Sequence, residues 1–296
     1  METQRSITVF TPTYNRAYIL GKCYESLNRQ TCKDFEWLII DDGSTDNTQE
    51  IVADWQKHDN GYPIRYIFKE NGGLHTGYNT AIANMDTELS VCIDSDDSMP
   101  EDAIEHILNE WEKVKDSGAA GLIGLDMDQN GRLIGKQLPD GELINAASLL
   151  CIPGMGDKKY VVRNNLLRMV APMPTFTGEK NFNPHYLIIK LSKEYRFHPV
   201  NQSYCLVEYQ PDGMTANIYR QYTNSPKSFA ELRRAIMEVP GLTWRYKIKN
   251  VIHYCSSSQL AGNLNYIKES PRKLLTVLCT PVGWVLTEYI KRKAGR

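Results

Sequence analysis

Four polar clusters in this 296-residue chain carry side chains able to do chemistry. They read Thr-Pro-Thr-Tyr-Asn-Arg at 11–16, Asp-Asp-Gly-Ser-Thr-Asp-Asn-Thr at 41–48, Glu-Asn-Gly-Gly-Leu-His-Thr-Gly-Tyr-Asn-Thr-Ala at 70–81, and Asp-Ser-Asp-Asp at 94–97. The last is the sharpest. In extended backbone, residues two apart share a face, so Asp94 and Asp96 point one way and Asp97 another. Paired carboxylates suit a hard divalent cation, Mg2+ or Mn2+, which keeps positions free for water and phosphate oxygens. An Asp-x-Asp alone occurs in many acidic turns and carries little weight. The third cluster adds polar side chains and a Gly-Gly backbone that a ligand can approach closely.

These clusters need elements to position them, and the apolar runs supply those elements. Segments 7–11, 35–41, 64–69, 89–94 and 119–125 read as strands rich in Ile, Val, Leu and aromatic residues. Between them, 18–30, 48–57, 76–85 and 101–115 repeat their apolar positions at helical spacing. The alternation predicts an α/β fold with a mostly parallel central sheet covered by helices on both faces. In such sheets ligands gather beyond the carboxyl ends of the strands, where all four clusters fall. After 125 the rhythm breaks. Residues 128–131 suggest a hairpin turn between 122–127 and 132–135, with strands at 159–162 and 203–209 and a helix near 184–192.

Other metal and nucleotide chemistries fit poorly. A calcium loop starting at Asp94 would need glycine where Met99 stands, and one starting at Asp126 would need a carboxylate where Gln137 stands. The six histidines lack zinc-ligand spacing. No glycine-rich phosphate loop and no dinucleotide fingerprint occurs.

Taken together, order and spacing of the clusters resemble family 2 glycosyltransferases of the GT-A fold over roughly residues 5–215. The run Asn-Gly-Gly-Leu-His-Thr at 71–76 is similar to the Asn-Gly-Gly-Lys-His of a branch that builds bacterial surface polysaccharides, with Leu74 in place of the lysine. The resemblance implies a GT-A domain over 1–225 and leaves 226–296 as a basic helical appendage. It implies Pro12, Thr13 and Tyr14 around a uracil, with Asp42 accepting a hydrogen bond from the base. Asp96 would hold Mn2+ or Mg2+ on the diphosphate, and Asp94 would contact the ribose or support the metal shell. Asn71, His75 and Asp97 are further candidate donor or acceptor contacts; His75 equally suits the capping of a turn.

An acceptor hydroxyl also needs a base, and a placed carboxylate contributes about 10²–10⁴-fold. The family's acidic residue in a Gly-Glu/Asp context matches Thr-Gly-Glu-Lys at 177–180, which makes Glu179 the expected catalytic base, with Glu208 and Asp212 in reserve. Lys180 stands where relatives often carry a second acid. The implied reaction is inverting, metal-dependent transfer of a hexosyl or N-acetylhexosaminyl group, from a nucleotide diphosphate donor such as a UDP-sugar to a glycan or polyprenyl-diphosphate-linked saccharide. Two rivals are a sugar nucleotidyltransferase, against which the glycine-free 11–16 segment speaks, and a non-catalytic nucleotide-sugar-binding module.

Charge and cysteines complete the reading. The formal net charge is −1, yet from Lys227 onward 13 Lys and Arg face 4 Asp and Glu, leaving 21 against 31 before that point. A basic tail behind an acidic body points to an anionic partner. Residues 274–286 are apolar between basic flanks, too short for the roughly 20 residues of a spanning helix. They suit either an interfacial segment on an anionic membrane or a buried helix. No nucleic-acid motif accompanies the charge. Seven scattered cysteines without a Cys-x-x-Cys pair, and a start without a signal-like apolar region, suggest a reducing cytoplasm, with a peripheral place on the inner face of the plasma membrane.

Overall fold

The computed structural model describes residues 5–208 and 218–295. Seven strands form one sheet in the order β3-β2-β1-β4-β6-β5-β7. Strands β1 (Ile7–Thr13), β2 (Phe35–Asp41), β3 (Ile64–Phe68) and β4 (Leu89–Cys92) run parallel to one another, connected in turn by the helices α1 (Ala17–Asn28), α2 (Thr48–Trp55) and α3 (Leu74–Asn84). Strand β2 is buried along its whole length, as expected of a parallel strand covered on both faces. One core packs Val9, Trp37, Ile39 and Val91 beneath α1, α2 and α4 (Ala103–Val114). The other packs Phe10, Leu38, Ile40 and Ile123 beneath α3, α5 (Asn164–Val170) and α6 (His185–Leu191). Each fully buried Leu or Ile in these layers contributes roughly 1.5–3 kcal/mol.

Beyond β4 the sheet departs from simple alternation. Strand β6 (Lys158–Arg163) inserts antiparallel between β4 and β5 (Gly121–Asp128), while β7 (His198–Val207) runs parallel to β5. The hairpin expected at 128–131 reduces to a turn, closed by Asp128 N–H to the Arg132 carbonyl at 2.8 Å and one bridge between Met127 and Leu133. No strand forms at 132–135, because β5 already pairs with β6 and β7 on its two edges.

The C-terminal region is helical: α7 (Ile218–Asn224), α8 (Pro226–Glu238), α9 (Trp244–Leu260), α10 (Tyr266–Glu269) and α11 (Lys273–Ala294). The boundary read at 225 does not divide the core. Leu232, Ala235, Ile236 and Val239 of α8 and its end join the same apolar cluster as Phe10 and Ile123. Only Met237, Val251, Tyr254, Cys255 and Cys279 form a separate small core, between α8, α9 and α11.

Candidate functional site

The polar clusters lie at the carboxyl ends of β1, β2 and β4, and Leu74, Tyr78, Asp94 and Asp97 from two of them line a cleft of about 830 Å³. At β1, Pro12 and Thr13 are buried and Tyr14 is half-exposed at 49%. The Thr13 hydroxyl finds no partner among the described residues. Asn15 adopts the left-handed φ of 52°, where a short polar side chain tolerates the strain. There its Oδ1 accepts from Thr45 N at 2.8 Å and its own N donates to Ser44 Oγ at 2.8 Å, clamping the end of β1 to the turn after β2.

Asp42 does more structural work than the sequence suggested. Its carboxylate accepts from Gly72 N at 3.0 Å and Gly73 N at 2.7 Å and pairs with Lys69. Its carbonyl accepts from Asn71 Nδ2 at 2.7 Å. One buried carboxylate thus organises the whole 69–76 loop. Asn71 is correspondingly tied, its Oδ1 accepting from Lys180 Nζ at 2.6 Å. Gly73 has φ 94°, and a Cβ there would stand 2.0 Å from the Lys180 carbonyl oxygen, so only glycine lets the 178–182 segment lie across the loop. His75 is drawn beneath this arrangement, 1% exposed, its ring 6.0 Å from Phe182 and Nδ1 unpartnered among the described residues. Burial lowers its pKa, so the ring is held neutral.

The acidic run at 94–97 is not extended. Asp97 N–H donates to the Asp94 carbonyl at 3.0 Å, closing a turn over Ser95 and Asp96. The period-two argument for Asp94 and Asp96 therefore does not apply, since β4 ends at Cys92. Asp94 is exposed and lines the cleft, and Asp96 is half-buried at the tip of the turn. Asp97 is fixed inward instead: its carboxylate accepts from Glu208 N at 3.1 Å and from Cys205 Sγ at 3.4 Å and faces Lys159 Nζ at 3.8 Å. Burial raises its pKa foremost, against the opposing pull of Lys159.

The cleft floor holds groups the sequence reading missed. Lys159 on β6 stands among the charges of Asp94, Asp97 and Asp126. Asp126 is buried, with an Oδ1 unpartnered among the described residues and a pKa raised by burial. Asp157 is exposed on the cleft wall, and His185 stands edge-on to Tyr160 with centroids 5.3 Å apart. Burial pushes the His185 pKa down to about 4, against the opposing charge of Asp157. These positions follow from β6 entering antiparallel beside β4, a pairing no local pattern announces.

Glu179 is engaged at a helix start. Its carboxylate is 8% exposed and does not line the cleft. Its oxygens accept from Lys227 N at 2.9 Å, Ser228 N at 2.8 Å and Ser228 Oγ at 2.7 Å, capping the first turn of α8. The orphan amides of a helix start attract a carboxylate strongly, and they have taken this one. Of the reserve candidates, Glu208 pairs with Lys22 at 2.6 Å, and Asp212 lies outside the described residues. Among the described residues no group of three or more His, Cys, Asp or Glu could hold a metal by itself. Asp94 on the cleft wall and Asp96 two residues on fit a hard cation completed by phosphate and water oxygens rather than a protein cage.

Comparison with known proteins agrees with this geometry. Residues 8–148 match the sequence model of glycosyl transferase family 2. Over 129 residues the chain is 33% identical to the chondroitin synthase of Escherichia coli, a match covering 43% of this chain and 18% of that protein. The chain thus spans less than a fifth of the synthase's length. In three dimensions it is similar to S. aureus TarS 1–349 in complex with UDP-GlcNAc, with TM-score 0.58, 15% identity and coverage of 97% of this chain and 92% of that one. It is also similar to the mannosyltransferase PcManGT of Pyrobaculum calidifontis in complex with GDP-Man and Mn2+, with TM-score 0.57, 17% identity and coverage of 99% and 84%. With the polar clusters gathered at the strand ends of a GT-A sheet, residues 8–148 of the chain are similar to family 2 of the glycosyltransferases.

Proposed function

We propose that the chain transfers a hexosyl or N-acetylhexosaminyl group from a UDP-sugar to a hydroxyl of a glycan or polyprenyl-diphosphate-linked saccharide in surface polysaccharide synthesis. The observation that carries this reading is the cleft itself. Across the sheet, Asp42 follows β2, Thr13 ends β1, Asp94 and Asp96 follow β4, and Asp157 leads into β6. A nucleotide between the ends of β1 and β2 directs its diphosphate toward the Asp94–Asp96 turn. The acceptor then enters from the β6 side, opposite the leaving group, as an inverting displacement requires. The nucleotide sugars in the complexes of TarS and of the mannosyltransferase support such a donor.

On this reading Pro12, Thr13 and Tyr14 form the wall for the base. Asp42 Oδ2, which accepts Gly73 N–H, has a lone pair left for the base. Asp96, with Asp94, holds Mn2+ or Mg2+. When bound, that ion supplies charge neutralisation for the departing diphosphate. Lys159 and the Asp97 it faces form a rigid floor below the reacting sugar. Asp157, exposed on the acceptor side, takes the proton of the incoming hydroxyl, and the neutral His185 beside it adds no competing charge. The basic tail and the apolar 274–286 segment support a peripheral position on the inner face of the plasma membrane.

The test is a product assay across a panel of nucleotide sugars with Mn2+ and saccharide acceptors. UDP release with a new glycosidic bond is expected, and release of pyrophosphate instead would indicate a nucleotidyltransferase. Asp157→Asn should lower turnover about 100-fold while leaving donor binding intact; unchanged turnover removes Asp157 from its role.

A further inference from the structure

Helix α11 packs one face against the fold and turns large apolar side chains outward on another. Thr276, Cys279, Gly283, Thr287 and Ile290 are buried against α9. The contact there is close: a Cβ on Gly283 would lie 2.5 Å from Cys255 Cβ, and Thr287 Oγ1 shares 3.0 Å bonds with Ser256 Oγ and Gln259 Oε1. Small and hydroxylated residues thus form the inner face. The large apolar side chains are turned outward, with Leu274 76%, Leu278 67%, Val285 65% and Trp284 63% exposed. Val282 joins Leu274, Leu278 and Val285 in a stripe whose spacing of three and four keeps it on one side of the helix, with Val277 and Trp284 exposed beside it. Outward exposure of so many large apolar groups marks an interaction surface.

Charge decides what covers it. Arg272 and Lys273 stand at one end of the helix and Lys291, Arg292 and Lys293 at the other. A second copy of the chain laid on this face would bring basic ends together whichever way the two helices ran. An anionic surface meets both ends at once. No helix among the described residues is long and apolar enough to cross a membrane. We infer that α11 lies in the headgroup region of an anionic bilayer, with Leu278, Trp284 and Val285 inserted and its basic ends on lipid phosphates.

The same helix is joined to the cleft. Tyr289 meets Tyr219 of α7 edge-on at 5.9 Å, and Ile218 and Gln221 of α7 line the cleft. The wall of the cleft therefore stands one short helix away from the lipid. This places the acceptor class: a saccharide whose lipid end stays in the bilayer while its hydroxyl reaches the cleft. The bilayer contact stands without the transferase reading; the acceptor class rests on it.

The experiment is co-sedimentation of the full chain with phosphatidylcholine vesicles, with and without phosphatidylglycerol, in the absence of any nucleotide sugar. Wild type is expected to bind the anionic vesicles and not the neutral ones, with Trp fluorescence moving to the blue. Leu278→Glu with Val285→Glu, both at exposed positions, should weaken binding at least about tenfold with unchanged circular dichroism. Lys291→Gln, Arg292→Gln and Lys293→Gln together should weaken it about 100-fold in low salt. The glutamate variant should keep turnover on a water-soluble acceptor and lose it on one anchored in vesicles. Three results would overturn the inference: no vesicle binding by wild type, undiminished binding by both variants, or a solution dimer that Leu278→Glu dissociates. Vesicle binding without any sugar transfer would leave the surface standing and defeat the transferase reading alone.

Discussion

Glu179 shows what a residue's neighbours in sequence leave untold. Thr-Gly-Glu-Lys was read as the setting of a base, and nothing local announces the bonds its carboxylate accepts from Lys227 and Ser228, 48 and 49 positions along. Buried with three donors, the carboxylate is worth more to α8 than to the cleft. Glu179→Gln should lower stability by about 1–3 kcal/mol, because a charge-assisted cap becomes a neutral one with mismatched donors. Turnover per folded molecule should stay within a few-fold of wild type; chemical denaturation paired with active-site titration checks both. Asp42 was legible as a strand-end carboxylate because it follows an apolar strand. Its bonds to Gly72 and Gly73 were not, since they require β3 to lie beside β2.

At the scale of elements, the first four strands were readable because parallel strands buried on both faces are continuous apolar runs bounded by polar turns. Their helices showed the 3.6 period for the same reason, each having one face on the sheet. Of the later elements, β6, α6 and the second half of β7 were readable from their own apolar runs, but the antiparallel insertion of β6 between β4 and β5 was not. Strand β6 begins Lys-Lys-Tyr, a run whose charges make sense only once Lys159 faces the acidic floor. Helix α5 is seven residues long, too short to display a period. The 69–76 loop offers the sharpest test of an element. Gly73→Ala forces a Cβ against the Lys180 carbonyl at a left-handed φ, so the loop must shift. Loss of roughly 2 kcal/mol or more of stability is expected, with weaker nucleotide binding; a thermal-shift titration with UDP reads both.

For the whole molecule, acid is expected to act through two histidines held neutral. His185 and His253 both have pKa values pushed down to about 4, foremost by burial, with Arg233 and Lys249 adding to the effect at His253. The folded values lie below the unfolded value of about 6.5, so the unfolded chain binds protons first. Stability from these groups is complete above pH 6.5 and is lost as pH falls through the window from 6.5 to 4. Each costs on the order of 1 kcal/mol by pH 5. His253→Gln should flatten the decline between pH 7 and 5 by that amount, read from urea midpoints; an unchanged slope would show the imidazole to be accessible. Asp97 and Asp126, whose pKa values are raised, act in the opposite direction and are the same in both proteins.

The whole chain also shows how far the division at 225 was visible. The charge change there is real, yet α8 belongs to the main core through Leu232 and Ile236. Composition reports what faces solvent, and it says little about which helix closes a core. The central claim is narrower than the fold: a divalent ion held at Asp96 and a nucleotide diphosphate bind to each other's advantage in one cleft. Calorimetric titration of UDP, with and without Mn2+, into wild type and Asp96→Asn tests it directly. The account predicts at least about tenfold tighter UDP binding with Mn2+ in wild type and no gain in the variant. Equal affinity with and without the ion in wild type, or an undiminished gain in Asp96→Asn, would contradict it.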